Sequence, residues 1–247
     1  MIGTRKVLAL IPARGSSKGL TGKNVLLVDG RPLLAWTVDA ARSARCIDSM
    51  VLSSDDDTII ATALALGCEV PFRRPATLGS DTASTIDVVL HALDMLPDYD
   101  VVVLLQPTSP LRTAADIDAT CERFASSGAP VCVSVNLVEQ SPYWMFRLAD
   151  NQALVPIIET PTGVTRRQDL PAIYTLNGAV YVADTRWLRQ SRTFLTRDTV
   201  AYVMPIERSI DIDTATDFEA FKNAVTKDAN AKIPESSRHR PHPVSQR

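Results

Sequence analysis

Three cations and three glycines crowd the stretch Arg14-Gly15-Ser16-Ser17-Lys18-Gly19-Leu20-Thr21-Gly22-Lys23-Asn24, just after the apolar run Val7–Ile11. Glycines let a backbone come close to a ligand, and clustered Arg and Lys offset the charge of phosphate groups. The stretch is not a Walker A loop, because Lys23 is followed by Asn24 rather than Ser or Thr, and it holds no G-x-G-x-x-G dinucleotide fingerprint. Far downstream, Asp211 and Asp213 stand at i and i+2 in Ser209-Ile210-Asp211-Ile212-Asp213-Thr214. On an extended segment the two carboxylates face the same way. Oxygen ligands with no histidine nearby suit Mg²⁺, which takes one or two protein carboxylates and completes its shell with phosphate and water. Alone, such a pair is a weak sign, since helix starts often carry carboxylates as caps. Beside a phosphate loop it becomes a candidate metal site.

Three more polar clusters follow apolar runs. Ser53-Ser54-Asp55-Asp56-Asp57 has helix capping and dipole complementarity as its default reading. Arg73-Arg74-Pro75 and Ser80-Asp81-Thr82-Ala83-Ser84-Thr85 lead into a helix whose first hydroxyls and amides suit a base or phosphate, with capping by Ser84 as the competing reading. Gln106-Pro107-Thr108-Ser109-Pro110-Leu111-Arg112 is an unusually polar ending to the run Val101–Leu105.

These clusters need elements to hold them. Val7–Ile11, Met50–Ser53, Val101–Leu105 and Val131–Val135 read as buried strands. Pro32–Ala44, Asp56–Leu66, Ser84–Leu96 and Thr113–Phe124 read as helices; in the third, Ile86, Val89, Leu90, Leu93 and Leu96 recur at helical spacing. Alternation of this kind predicts an α/β fold with a mostly parallel sheet, right-handed crossovers and helices on both faces. Ligands of such sheets bind at the carboxyl ends of the strands, where the four N-terminal clusters fall. From about 136 to 199 prolines break the rhythm, which predicts a small irregular subdomain containing one clear strand, Ala179–Ala183. The chain returns with Val200–Pro205, the extended Ser209–Asp213 and a helix near Thr214–Ala224. Polar residues from 228 to 247 read as a disordered tail, leaving 1–227 as one catalytic domain.

Composition excludes several classes of function. Lys plus Arg total 26 against 28 Asp plus Glu, a net charge of −2, so no bulk attraction for nucleic acid or anionic membrane exists. Cys46, Cys68, Cys121 and Cys132 are scattered, and two of the three histidines lie at 239 and 242, which argues against a Cys/His zinc site. Reduced buried thiols and no run near the ~20 apolar residues of a membrane span give a cytoplasmic expectation.

The five motifs together resemble the CMP-sialic acid synthetases, the acylneuraminate cytidylyltransferases. They are A-R-x-x-S-K-G-x-x-x-K-N at 13–24, R-P-A-x-L-x-S-D-T-A-S at 74–84, L-L-Q-P-T-S-P-L-R-T at 104–113, N-G-A-V-Y at 177–181 and S-I-D-I-D-T at 209–214. The resemblance covers roughly residues 5–225. It implies a Rossmann-like fold that couples CTP to a nonulosonic acid and releases pyrophosphate. By the same resemblance Arg14 and Lys23 hold the triphosphate with Lys18 nearby, while Asn24, Arg74 and the 80–85 segment, with Ser84 and Thr85, help bind the nucleotide. Gln106 contacts the sugar near its reacting hydroxyl; Arg167, Asn177 and Tyr181 belong to the sugar pocket; Asp211 and Asp213 bind Mg²⁺. The family is dimeric, which implies a homodimer built through 136–199, with Phe194 lent to the partner's site. Trp144 and Leu195 depart from the sialic-acid pattern, so a legionaminic or pseudaminic acid synthetase is the alternative. A non-catalytic nucleotide-sugar binding protein is the alternative of another class, and it would be expected to have lost a loop cation or one of the two carboxylates.

Overall fold

A computed structural model describes residues 2–16, 19–80, 82–159, 161 and 166–231. Its strands and helices, in chain order, are β1 (Val7–Pro12), β2 (Leu27–Val28), β3 (Arg31–Pro32), α1 (Leu33–Ser43), β4 (Ser49–Ser53), α2 (Asp57–Ala65), α3 (Thr85–Met95) and β5 (Val101–Leu104). They continue with α4 (Ala114–Ser127), β6 (Val131–Leu137), β7 (Phe146–Leu148), β8 (Leu154–Pro156), β9 (Tyr174–Asp184), α5 (Thr185–Ser191), β10 (Val200–Val203) and α6 (Ala215–Ala231). Six strands form the main sheet in the order β10-β6-β9-β5-β1-β4. Five run in one direction; β9 is antiparallel to both of its neighbours, β5 and β6.

Alternation along β1 shows how the layers arise. Val7, Ala9 and Ile11 join Leu34 and Val38 of α1, Ile59 of α2, and Ile117, Cys121 and Phe124 of α4 in one apolar cluster. Leu8 and Leu10 point the other way, to Val89 and Leu93 of α3 and Leu188 of α5. Both faces of the sheet are therefore covered by helices, and a strand buried on both sides reads as an unbroken apolar run. A third, smaller cluster packs α6 against α1 and the β2–β3 hairpin through Leu33, Ile212 and Phe221, with Trp36 edge-on to Phe221 at 5.3 Å between ring centroids.

Two expectations change here. Residues 136–199 are not wholly set apart from the sheet: β9 is an 11-residue strand at its centre and α5 packs on one face, so only the stretch carrying the two-stranded β7–β8 sheet stands aside. Ser209–Asp213 is not a strand, although Ile212 is fully buried between the solvent-facing Asp211 and Asp213, so the expected alternation survives. The last helix continues through 228–231, where a disordered tail was expected to begin; the remainder of that tail lies outside the described residues.

One irregularity shapes the site. Where β6 advances from Val133 to Val135, β9 advances from Tyr181 back to Leu176, so Asn177 to Val180 bulge out of the ladder. Ser134 fills the gap: its hydroxyl donates to Asn177 Oδ1 at 2.6 Å and accepts from the Val180 amide at 2.8 Å. Gly178 sits in this bulge at φ +71°, a left-handed conformation that glycine adopts without strain.

Candidate active site

The loops after β1 and β5, the α2–α3 connection and the segment before α6 meet at the carboxyl edge of the sheet around a cleft of about 390 Å³. Arg14, Lys23, Asn24, Arg74, Ser80, Thr85, Gln106, Thr108, Asp211 and Asp213 line it. Eight of these ten were named individually from sequence, and Ser80 falls in the 80–85 segment expected to bind the nucleotide. Cations therefore come from two separate loops and carboxylates from a third, although the chain as a whole is near neutral.

Local bonds explain how the loops hold their shape. Asn24 is buried and donates to the Arg14 carbonyl at 3.1 Å, tying the two ends of the glycine-rich loop. Arg14 donates to the Ser80 carbonyl at 3.2 Å, and Ser16 to the Gly79 carbonyl at 3.0 Å, which staples that loop to the turn before α3. Asp55 accepts from the Gly15 amide at 3.3 Å, whereas Asp56 caps α2 through the Ile59 amide at 2.9 Å. The default reading of this acidic cluster thus accounts for Asp56 as the cap and Asp57 as an acid in the first turn of α2, while Asp55 bonds the glycine-rich loop.

Arg74 is buried, bonded through Nε to the Ser53 hydroxyl at 3.1 Å and through Nη2 to the Ser53 carbonyl. Desolvation pushes its guanidinium down to about 10; Asp55 opposes the shift and Arg14 adds to it. Two like charges in a half-dry cleft are poised to accept an anion. Opposite them, Lys23 donates to the Ile212 carbonyl at 3.0 Å and to Asp213 Oδ1 at 3.1 Å. Desolvation raises the Asp211 carboxyl above its ordinary value, and Asp213 and Asp217 push the same way; a Thr108 hydrogen bond and the Lys23 charge oppose this.

That balance tests the fit of a divalent cation. The carboxylates form an oxygen-only set short of positive charge, and a protein ammonium already bridges Asp213 to a carbonyl. Among the described residues no group of three or more His, Cys, Asp or Glu side chains is arranged to hold a metal by itself. An ion here would need its remaining ligands from phosphate and water, a demand that Mg²⁺ fits. The pair is held from behind: Asp217 accepts from the Asp213 amide at 3.1 Å and the Thr214 amide at 2.7 Å, and Thr108 accepts from the Ile212 amide at 2.8 Å through its carbonyl.

A second lobe of about 230 Å³ adjoins the first and shares Thr85 and Gln106 with it. Ile86, Leu104, Leu176, Tyr181, Phe194 and Leu195 make it largely apolar. Tyr181 and Phe194 meet edge to face at 5.4 Å, and burial together with Asp211 raises the Tyr181 hydroxyl's pKa. Phe194 is 8% exposed and packs in the core of its own chain, whereas the resemblance gives it to a partner's site.

Other expected residues fall elsewhere. Ser84 caps α3, accepting from the Asp87 amide at 3.2 Å and donating to its carboxylate at 2.6 Å, and does not line the cleft. Asn177 is buried, and its amide donates to the Ser209 hydroxyl at 3.0 Å and to Met204 Sδ at 3.3 Å. It organises the bulge rather than facing a ligand. Trp144 is exposed on the β7 side and lines neither lobe. Lys18 and the Arg167 side chain lie outside the described residues.

Two cleft residues escaped the sequence reading as individuals, Ser80 and Thr108. Both belong to clusters singled out there, but a hydroxyl in a turn gives no sign of its direction. Arg112 also escaped, because a charged residue at the end of a turn reads as solvent-facing; here it is 3% exposed.

Comparison with known proteins gives the following likenesses. The family model described as Cytidylyltransferase matches residues 8–229. The N-acylneuraminate cytidylyltransferase of Escherichia coli is 32% identical over 214 residues, 87% of this chain and 51% of that protein. The CMP-N,N'-diacetyllegionaminic acid synthase of Legionella pneumophila is 35% identical over 218 residues, 86% of this chain and 93% of that protein. The chain thus spans about half the length of the first relative and nearly all of the second. Among solved structures, CMP:2-keto-3-deoxy-manno-octonic acid synthetase complexed with CTP superposes with a TM-score of 0.67 at 16% identity, covering 90% of this chain and 99% of that one, a likeness of fold.

Proposed function

Because this chain belongs to the cytidylyltransferase family, we propose that it transfers CMP from CTP to a nonulosonic acid and releases pyrophosphate. The observation that carries this reading is the meeting of Arg14, Lys23 and Arg74 with Asp211 and Asp213 in one cleft, whose Gln106 wall it shares with a second lobe. Retention of these cations and of both carboxylates argues against a binding protein that has lost catalysis.

Displacement takes place at the α-phosphorus, and negative charge grows on the oxygen bridging to pyrophosphate. Arg14 and Lys23 offset that charge, and Arg74, fixed on Ser53, orients the nucleotide beside them. Asp211 and Asp213 would hold Mg²⁺, which would supply Lewis-acid polarisation of the phosphate oxygens. Gln106, between the two lobes, orients the sugar hydroxyl toward the phosphorus. No histidine lines either lobe among the described residues, so proton removal falls to the carboxylate side of the cleft.

The apolar second lobe favours a sugar with acyl or deoxy positions over a more hydroxylated one. Ile86, Leu176 and Leu195 offer apolar contact to a methyl or acyl group and no hydrogen-bond partner to a hydroxyl, while Arg192 and Thr193 are among the lobe's polar members. With CTP and a panel of nonulosonic acids, pyrophosphate release is expected, with kcat/KM for N,N'-diacetyllegionaminic acid about tenfold or more above that for N-acetylneuraminate. Preference for N-acetylneuraminate would reject the substrate reading alone; release with none of the sugars would reject the function.

A homodimer accompanies this reading. Phe146, Leu148 and Leu154 share one face of the β7–β8 pair and lie exposed, as do the neighbouring Trp144 and Met145, an apolar surface of the kind a partner subunit covers. Sedimentation equilibrium should give twice the chain mass, and a monomer at micromolar concentration would refute it.

A further inference from the structure

Arg112 closes the turn that follows β5, and its guanidinium is buried. Nη1 donates to the carbonyls of Gln106 at 3.1 Å, Ser109 at 3.0 Å and Ala179 at 3.2 Å. Nη2 donates to the Gln106 carbonyl at 3.2 Å and to the Thr37 hydroxyl on α1 at 2.6 Å. Its Nε is buried without a partner among the described residues. Burial pushes the group down to about 9, and Asp116 only partly opposes this. A buried charge held by neutral acceptors is a poor source of stability, because an apolar side chain of similar volume often does as well.

The bonded groups share a location instead. Gln106 stands where the two lobes meet. The Ser109 hydroxyl donates to the Asn177 carbonyl at 3.1 Å, which fixes the bulge of β9. Ala179 follows Gly178, where an added Cβ would lie 2.8 Å from Gln106 Oε1, 3.4 Å from Ser109 Oγ and 3.6 Å from Asp211 Oδ2. The same turn carries Thr108, whose carbonyl and hydroxyl hold the Ile212–Asp211 segment. One fork therefore locks the turn to β9 at the point where the sugar-side glutamine and a metal-side carboxylate converge.

We infer that Arg112 is a positioning residue for the transfer step, setting Gln106 and the Gly178 bulge at the spacing the acceptor sugar requires. This rests on the CMP-transfer reading above. The triphosphate grip of Arg14, Lys23 and Arg74 lies on other loops and does not depend on it.

Arg112→Lys keeps the charge and loses the fork. It should lower kcat/KM for the sugar by about 10²-fold, since displacements near 1 Å cost that much, while CTP affinity by calorimetry stays within about threefold. Thr37→Val removes only the distant acceptor and should give the same pattern at about tenfold. Val38→Ala, a fully buried neighbour on α1, is the control: it should lower Tm and leave sugar kcat/KM within about twofold. Sugar kcat/KM within about twofold of the parent in folded Arg112→Lys, CTP affinity falling in equal proportion, or Val38→Ala reproducing the sugar-selective loss would each overturn the inference. Should Arg112→Lys not fold, an unchanged Thr37→Val overturns it. A parent enzyme that transfers to no sugar overturns the functional reading, and this one with it.

Discussion

Asp211→Asn is expected to lower CMP-sugar formation by about 10³-fold while the protein becomes no less stable. Asparagine keeps the shape beside Thr108 and Gly178 and removes the charge that a divalent cation needs. Stability should move the other way. The carboxyl is raised above its ordinary value in the fold, by desolvation first and then by Asp213 and Asp217. A raised acid is a charge that the folded chain tolerates less well than the unfolded one, so its ionisation at neutral pH works against folding. Removing that charge should therefore leave Tm unchanged or raise it by a few degrees when magnesium is absent. Initial rates of pyrophosphate release and a thermal melt read the two effects separately. Retained activity, or a large fall in Tm, would refute the assignment of Asp211 as a charge kept for function at the expense of stability.

Gly19→Ala comes second in expected size. A Cβ at this position would lie 2.2 Å from the Asp213 carbonyl oxygen, a backbone atom that cannot swing aside as a side chain can. Either the glycine-rich loop or the 211–213 segment must shift by about 1 Å, which separates cations from carboxylates and should reduce kcat/KM by about 10²-fold. Gly30→Ala supplies the contrast. That glycine has φ +71° with nothing within 4 Å, so alanine there should lose about 1 kcal/mol of stability with turnover unchanged. If both variants lose activity to the same degree, backbone strain rather than close approach governs the loop.

Much of this site was legible in sequence because its signals are local. Gly-rich loops, helix caps and the i, i+2 carboxylates depend on neighbours a few residues away, and Ser84 with Asp87 or Asp211 with Asp213 behaves accordingly. The parallel strands were legible for a related reason, since a strand covered on both faces must be apolar throughout. What escaped depends on partners far along the chain. Tyr174 and Thr175 favour strand, but residues 174–176 are exposed and cut off from Ala179–Ala183 by Asn177-Gly178, and only the fold shows that they extend β9 and pair with Val135 to Leu137. Arg112 and Asn177 are polar residues in turns or bulges, and only folded carbonyls and hydroxyls from 37, 134, 179 and 209 turn them inward. Asp116 likewise went unread: it completes the capping box of α4 with Thr113 and is also a fully buried bidentate acceptor for Arg208, at 2.9 and 2.7 Å. That bond anchors the approach to Asp211 and Asp213 from 92 residues away.

The antiparallel strand in the middle of the sheet also bears on how the protein is made. A ribosome that has delivered β1 through β6 has produced both strands flanking the central gap, but not the strand that fills it. Until β9 emerges, β5 and β6 each present a row of unsatisfied amides and carbonyls on apolar segments, the kind of edge that recruits other chains. The nucleotide-binding half is therefore not a folding unit that matures first and waits. The glycine-rich loop directly follows β1, yet the sheet beneath it closes only once β9 has emerged, so the nascent protein has a long window in which chaperone protection matters.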